Sequence, residues 1–183
     1  MTDQFETERM VMRTISLDDA PGLHRVFTDE ITMAYWSDAP STDLEETRRR
    51  VQADIDCEAK GQARFWSVRL RDTGETVGKC TLFHWDEQNR RAEIGYILRR
   101  DLWGQGMMSE ACEGLLRHAF ETLGLHRVEA DADVDNAGSI ALLEKLGFQR
   151  EGLLRMAANQ RGTLRDCVIL SVLATEWKEG DID

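Results

Sequence analysis

Ten residues, Leu102-Trp103-Gly104-Gln105-Gly106-Met107-Met108-Ser109-Glu110-Ala111, narrow what this chain can become more than any other stretch. Before them, residues 92–98 alternate in the period-two manner of a half-buried strand. Ala92, Ile94, Tyr96 and Leu98 share one face, and Glu93, Gly95 and Ile97 the other. After them, Met108, Ala111, Cys112, Leu115, Leu116, Ala119, Phe120 and Leu123 recur at steps of three and four, a helical stripe that Gly124 ends. A strand, a turn with two glycines and a helix start together make an anion-binding geometry. Glycine lets a ligand approach the backbone, and the N–H groups of a first helical turn have no acceptor inside the helix.

The flanking segments continue the pattern. Residues 8–15 read as a strand, and Ser16 with Asp19 forms a capping box for a helix carrying Ala20, Leu23, Val26 and Phe27. Thr42 with Glu45 forms a second box, for a helix that Gly61 stops; its thin apolar stripe (Leu44, Val51, Ile55, Ala59) places it at the surface. Trp66, Val68 and Leu70 mark a strand, residues 72–74 a turn, 77–85 the next strand and 86–89 a second turn. Residues 127–134 alternate Val128, Ala130, Ala132 and Val134 against Glu129, Asp131 and Asp133. A short helix over 136–146 ends at Gly147, strands follow at 148–156 and 164–176 with 157–163 between them, and the tail beyond Lys178 frays. A crossover helix makes 92–98 and 127–134 parallel, so the class is α/β with a mixed, mostly antiparallel sheet.

Composition bounds the rest. A length of 183 residues fits one domain spanning 1–183. A net charge of −11 disfavours nucleic acid as a partner. No apolar run approaches the roughly 18 residues a membrane span needs. The polar start Met1-Thr2-Asp3-Gln4-Phe5-Glu6 is unlike a signal peptide, which points to the cytoplasm. Cys57, Cys80, Cys112 and Cys167 are scattered, and His24, His84, His118 and His126 lack ligand spacing, so no metal is expected.

Four motifs in this order carry a resemblance: Glu93-Ile94-Gly95-Tyr96, Trp103-Gly104-Gln105-Gly106, Asn136-x-x-Ser139 and Glu144-Lys145-Leu146-Gly147-Phe148. Together they resemble the GNAT superfamily of acyl-CoA-dependent N-acetyltransferases. Tyr35-Trp36, Glu151-Gly152, Arg165-Asp166 and Glu176-Trp177 suit its RimJ/RimL-like branch, named for ribosomal-protein N-terminal acetyltransferases. The resemblance implies a seven-strand sheet, splayed between the fourth and fifth strands and flanked by about four helices. It also implies acetyl-CoA as co-substrate and a primary amine as acceptor, either a protein N-terminus or a small molecule. The order of monomer against homodimer stays open.

The same resemblance assigns roles. The pantetheine arm is to pair with backbone near Ile97 and Leu98, and the pyrophosphate is to lie over the N–H groups of residues 104–109, which brings in Trp103, Gly104, Gln105, Gly106, Met107, Met108 and Ser109. Asn136 is to orient the arm, and Ser139 is to protonate the departing thiolate. Glu93, bordering the cleft, is the candidate general base, and Tyr35, Trp36 and Trp85 are to line the acceptor pocket. Two departures stand out. Asp101 occupies a position where the family favours Gln or Arg, and residues 155–159 (Arg-Met-Ala-Ala-Asn) lack the carboxylate that RimL-type enzymes favour as base. That second departure keeps alive a rival reading as a CoA-binding sensor with little catalysis.

Overall fold

The computed structural model describes residues 4–178, so the expected fraying of the tail beyond Lys178 lies outside the described residues. One eight-stranded sheet runs through the molecule. Its strands are β1 (Gln4–Glu6), β2 (Met10–Thr14), β3 (Arg64–Leu70), β4 (Thr76–Asp86), β5 (Arg91–Leu98), β6 (Arg127–Asp133), β7 (Gln149–Gln160) and β8 (Thr163–Leu173). Their spatial order is β1-β2-β3-β4-β5-β6-β8-β7. The helices are α1 (Ala20–Phe27), α2 (Leu44–Ala59), α3 (Met107–Arg117) and α4 (Ala137–Lys145). Every neighbouring pair of strands is antiparallel except β5 and β6.

The eighth strand, beyond the seven expected, is β1. It pairs with β2 through Phe5↔Met12 across a turn closed by Thr7 N–H donating to the Met10 carbonyl at 2.9 Å. Three residues are too few to show a period, so the element is silent in the sequence. The second capping box also moves by one residue. Asp43 is the N-cap, accepting from Glu46 N–H at 2.7 Å, and Glu46 reaches back to Thr42 N–H at 2.8 Å. Near the far edge, β7 and β8 run longer toward their junction than expected. Only Arg161 and Gly162 separate them, with φ of 51° and 90°, the two left-handed residues that match a hairpin's twist.

The core lies on both faces of the sheet. Met107, Ala111, Cys112, Leu115 and Leu116 of α3 pack with Ile140 and Leu143 of α4 on Trp66, Leu82, Ile94, Val128 and Leu170. A smaller cluster on the other face joins Leu23, Val26 and Phe27 of α1 and Val51 of α2 to Phe65 and Ile97. Gly22 permits this second layer, because a β-carbon there would stand 2.4 Å from the Thr76 carbonyl oxygen. After α3 the helix widens into a π turn over residues 118–122, closed by Leu123 N–H donating to the His118 carbonyl at 3.0 Å.

One ionic cluster pins α1 to the sheet. Asp19 is fully buried and accepts from Arg69 Nη2 at 2.7 Å, Thr76 Oγ1 at 2.7 Å and Ser16 N–H at 2.9 Å. Burial alone would raise the Asp19 carboxyl, but these hydrogen bonds outweigh it and hold the group below its ordinary 3.8. Its stabilisation is therefore full above that ordinary value and fades as pH falls through the lowered one. Asp19→Ala leaves the partly buried Arg69 guanidinium and the buried Thr76 hydroxyl without their acceptor and is expected to cost about 3 kcal/mol. Urea unfolding checks this as a lower midpoint at unchanged slope; a change under about 0.5 kcal/mol would mean the cluster gives no net stabilisation.

Candidate active site

β5 and β6 pair over three residues only, Arg91↔Arg127, Ala92↔Val128 and Glu93↔Glu129. Beyond Glu93 they part. β5 stays with β4 as far as Gly78↔Leu98, while β6 follows β8 to Asp133↔Cys167. The result is a wedge-shaped opening through the sheet, with Glu93 at its vertex and Ile97 and Leu98 on one wall.

The glycine turn stands at the mouth of that wall. Gly104 and Gly106 have φ of 71° and 73°, the left-handed region that favours glycine, and Gly106 is the N-cap of α3. Within this turn the expected coenzyme contacts divide. Gly104, Gln105 and Gly106 are exposed, whereas the Met107 side chain is buried in the core and offers the opening only its N–H. Met108 is half-buried with its sulfur 3.5 Å from Cys112 Sγ, and Ser109 is half-buried beside it. The Trp103 indole N–H donates to the Leu98 carbonyl at 2.8 Å, so this ring closes the turn and occupies one of the backbone acceptors foreseen for pantetheine. Gln105 is tied inward as well, donating from Nε2 to the Asp101 carbonyl at 2.8 Å.

A cation that sequence reasoning missed stands over this turn. Arg9, between β1 and β2, donates from Nη1 to the Gln105 carbonyl at 3.0 Å and from Nε to Glu110 at 2.5 Å. Its Nη2 lies 3.5 Å from where a β-carbon on Gly106 would be. A separation of 96 residues hides this pairing from any local pattern.

The opposite wall is the start of α4. Asn136 caps it, accepting from Ser139 N–H at 3.2 Å. The Ser139 hydroxyl reaches back across the opening to Tyr96 on β5, Oγ to Oη 2.7 Å. Burial pushes the Tyr96 phenol far above its ordinary range, so it stays protonated. Tyr96 is a second missed residue; it shares its strand face with the apolar Ala92, Ile94 and Leu98, and nothing local marks its hydroxyl as paired.

The three aromatics expected in the acceptor pocket go separate ways. Tyr35, between α1 and α2, is exposed and donates its hydroxyl to the Asp135 carbonyl at 2.9 Å, next to Asn136. Trp36 is half-buried against the smaller core cluster. Trp85 is not brought to the pocket. It stacks under Arg64, 5.4 Å from guanidinium to ring, and packs on the larger core cluster. The cause is a bulge in β4 between Phe83 and Asp86, with His84 at φ of 50°. The bulge interrupts the alternation, taking Trp85 off the face that carries Glu93 and putting His84 on it. His84 Nδ1 lies 2.9 Å from Glu93 Oε2.

Asp166, in the branch-like Arg165-Asp166 pair, is engaged within the β7–β8 hairpin. Asp166 Oδ1 accepts from Met156 N–H at 2.8 Å, holding a bulge in β7, and Arg165 pairs with Asp133 and Asp135 instead of with Asp166. Among the described residues, no three His, Cys, Asp or Glu side chains gather to hold a metal ion, and no helix is long and apolar enough to cross a membrane.

A strand–glycine turn–helix over a splayed sheet defines an acetyl-CoA-dependent N-acetyltransferase fold, and comparison with known proteins agrees. Residues 9–149 match the acetyltransferase (GNAT) domain model, and the chain belongs to that family. It is 39% identical over 171 residues to an uncharacterized N-acetyltransferase of Bacillus licheniformis, covering 93% of this chain and 96% of the relative. It is 32% identical over 113 residues to the ribosomal-protein-serine acetyltransferase of Escherichia coli K12, covering 62% of each chain. Among solved structures, the ribosomal L7/L12 α-N-protein acetyltransferase RimL in complex with coenzyme A superposes with a TM-score of 0.84 at 25% identity. That match covers 99% of this chain and all of RimL.

Gly106→Val places a β-branched side chain at a left-handed φ and crowds the first-turn N–H groups. The expected result is acetyl-CoA binding weakened by about tenfold or more, roughly 1.4 kcal/mol, in calorimetric titration. Unchanged affinity would remove the turn from the coenzyme site.

Proposed function

We propose that this enzyme moves the acetyl group of acetyl-CoA onto the α-amine of a protein N-terminus, with Glu93 receiving the amine proton and Ser139 serving the departing thiolate. The observation that carries catalysis over mere coenzyme binding is the 2.7 Å contact between Tyr96 Oη and Ser139 Oγ. It joins β5 to the start of α4 across the opening, where a protein that only held the coenzyme would need no such pair. With the phenol protonated, Tyr96 can donate to Ser139 Oγ, an arrangement that leaves the Ser139 hydrogen to serve sulfur.

The step balances as follows. The amine nitrogen bonds to the thioester carbon and the carbon–sulfur bond breaks. Sulfur takes the Ser139 proton while Tyr96 stays protonated and hydrogen-bonded to the Ser139 oxygen, which regains a proton from water before the next cycle, and the proton lost by nitrogen passes to Glu93. First-turn N–H groups of α3 and the Arg9 guanidinium favour the coenzyme's phosphates locally, against the overall negative charge. Within the opening, the side of β5 left without a strand partner beyond Glu93 is offered to the pantetheine arm, the Leu98 carbonyl there being already held by Trp103.

A peptide acceptor is supported by the edge strand β7, where Leu153, Leu154 and Met156 are all at least half exposed, apolar surface suited to side chains of an extended segment. A small-molecule amine is the second reading, supported by residues 155–159, which carry no carboxylate, and by the engagement of Asp166 with Met156. Thiol release with peptides beginning Ser, Ala or Met, against polyamines and aminoglycoside-like amines, separates the two. Turnover confined to the peptides supports the first reading. Turnover confined to small amines replaces it with the second, and tight acetyl-CoA binding without turnover makes the chain a binding module.

For the hydroxyl itself, Ser139→Ala is expected to lower kcat by about 10- to 100-fold while acetyl-CoA affinity stays within about twofold. Parallel losses in both would assign Ser139 to binding alone.

A further inference from the structure

The Glu93 carboxyl has polar neighbours on both sides. On β4, His84 stands 2.9 Å away; on β6, Asp131 lies two residues beyond Glu129, the partner of Glu93 in the parallel pair, and its carboxyl opposes ionisation of Glu93. The other charged groups nearby have partners of their own. Glu129, facing Glu93 across the parallel pair, takes Arg91 at 3.2 Å and Arg127 at 2.7 Å. Arg127 also holds Glu151 at 2.5 Å, and Arg91 holds Asp86 at 3.4 Å. From β8, the Cys167 thiol faces Asp131.

His84 is a deliberate placement. Regular alternation would turn it to the opposite face, and only the bulge with its left-handed backbone brings the imidazole to Glu93. The Phe83 ring braces it edge-on at 4.8 Å. The exposures complement each other, with 16% for the Glu93 side chain and 77% for His84. A base inside the opening must return its proton to water before the next cycle, and His84 is the group that reaches both.

We propose that His84 and Asp131 are positioning residues for Glu93, Asp131 keeping the carboxyl poised at the vertex of the opening and His84 carrying the collected proton out to solvent. This rests on Glu93 being the base. The proton taken from the amine leaves Glu93 Oε2 for His84 Nδ1, the imidazolium loses Nε2–H to water, and nothing is oxidised or reduced. The electrostatics agree. Burial and the neighbouring Asp131 carboxyl raise the Glu93 carboxyl to about 7, while His84 acts in the lowering direction. The ionised, active form of Glu93 therefore forms as pH rises through neutrality.

The test is the pH profile of kcat/KM for wild type, His84→Gly, Asp131→Asn and Glu93→Gln. Glycine accepts the left-handed backbone at residue 84, so the first variant keeps the bulge. Expected for it are an acidic limb moved up by about half a unit to one unit, kcat at pH 7 lowered about fivefold to tenfold, and unchanged KM for acetyl-CoA. Added imidazole should restore kcat. Asp131→Asn should move the limb the other way, to lower pH. Limbs that stay put in both variants with no imidazole rescue, while Glu93→Gln is slow and lacks the limb, would overturn the relay and spare Glu93 as base. A Glu93→Gln variant with wild-type rates would overturn both.

Discussion

The parting of two parallel strands after three residue pairs is the constraint on which everything else here depends. β6 is committed to β8 along its whole length, and β5 to β4. Each half accumulates its own right-handed twist, and the far ends are held on opposite sides. At the end of β5, Arg99 N–H donates to the Val77 carbonyl at 2.8 Å and the Arg99 guanidinium grips Glu75 at 2.6 Å. Beyond β6, Arg165 grips Asp133 and Asp135, and Tyr35 holds the Asp135 carbonyl. The vertex is closed by Arg91 and Arg127 on Glu129 and by His126 N–H on the Arg90 carbonyl. A sheet interior normally leaves no backbone edge free; here it is left open deliberately, and a strand-like ligand arm is what can complete it.

Charge is distributed to match. A chain of net charge −11 would repel an anionic coenzyme at long range, so attraction must come from short-range groups. The first turn of α3 supplies N–H groups, and Arg9 adds a guanidinium that Glu110 orients without burying. Where β5 and β6 part, the acids gather instead: Glu93 on β5 faces Glu129, Asp131 and Asp133 of β6 and Asp135 beyond it, with Glu129, Asp133 and Asp135 neutralised by arginines from β5, β6 and β8.

What the sequence made legible is what repeats locally. The β5 alternation, the glycine turn, the α3 stripe and the Asn136 cap are contiguous patterns with a mechanical cause, and each stands where expected. Arg9 over the turn, Tyr96 on Ser139 and Asp131 beside Glu93 are pairings across the sheet, and no period in the chain encodes them. The β7–β8 hairpin was obscured because β7 is exposed at every residue but Ala158 and Gln160, so most of the strand carries no alternation of burial to read. Trp85 stands apart from Glu93 for a different reason: one bulge in β4 inverts the face of every residue after it, a skipped beat that a period-two pattern does not show.

That bulge shows how closely the chemistry depends on backbone choice. A regular β4 with the same side chains would present Trp85 to the acceptor face and turn His84 toward the core. Glu93 would then sit at the vertex with an indole for a neighbour and no titratable path to water on that side. A non-glycine residue at φ of 50° is costly, on the order of 1 kcal/mol, and persists only where its surroundings hold it. Here they do: Phe83 braces the ring, Glu93 binds it, and Asp86 closes the far side of the bulge by accepting from Asn89 N–H at 2.9 Å. Strain placed on the strand that abuts the vertex, and offset by contacts to the candidate base itself, ties local instability to the site where a proton has to move.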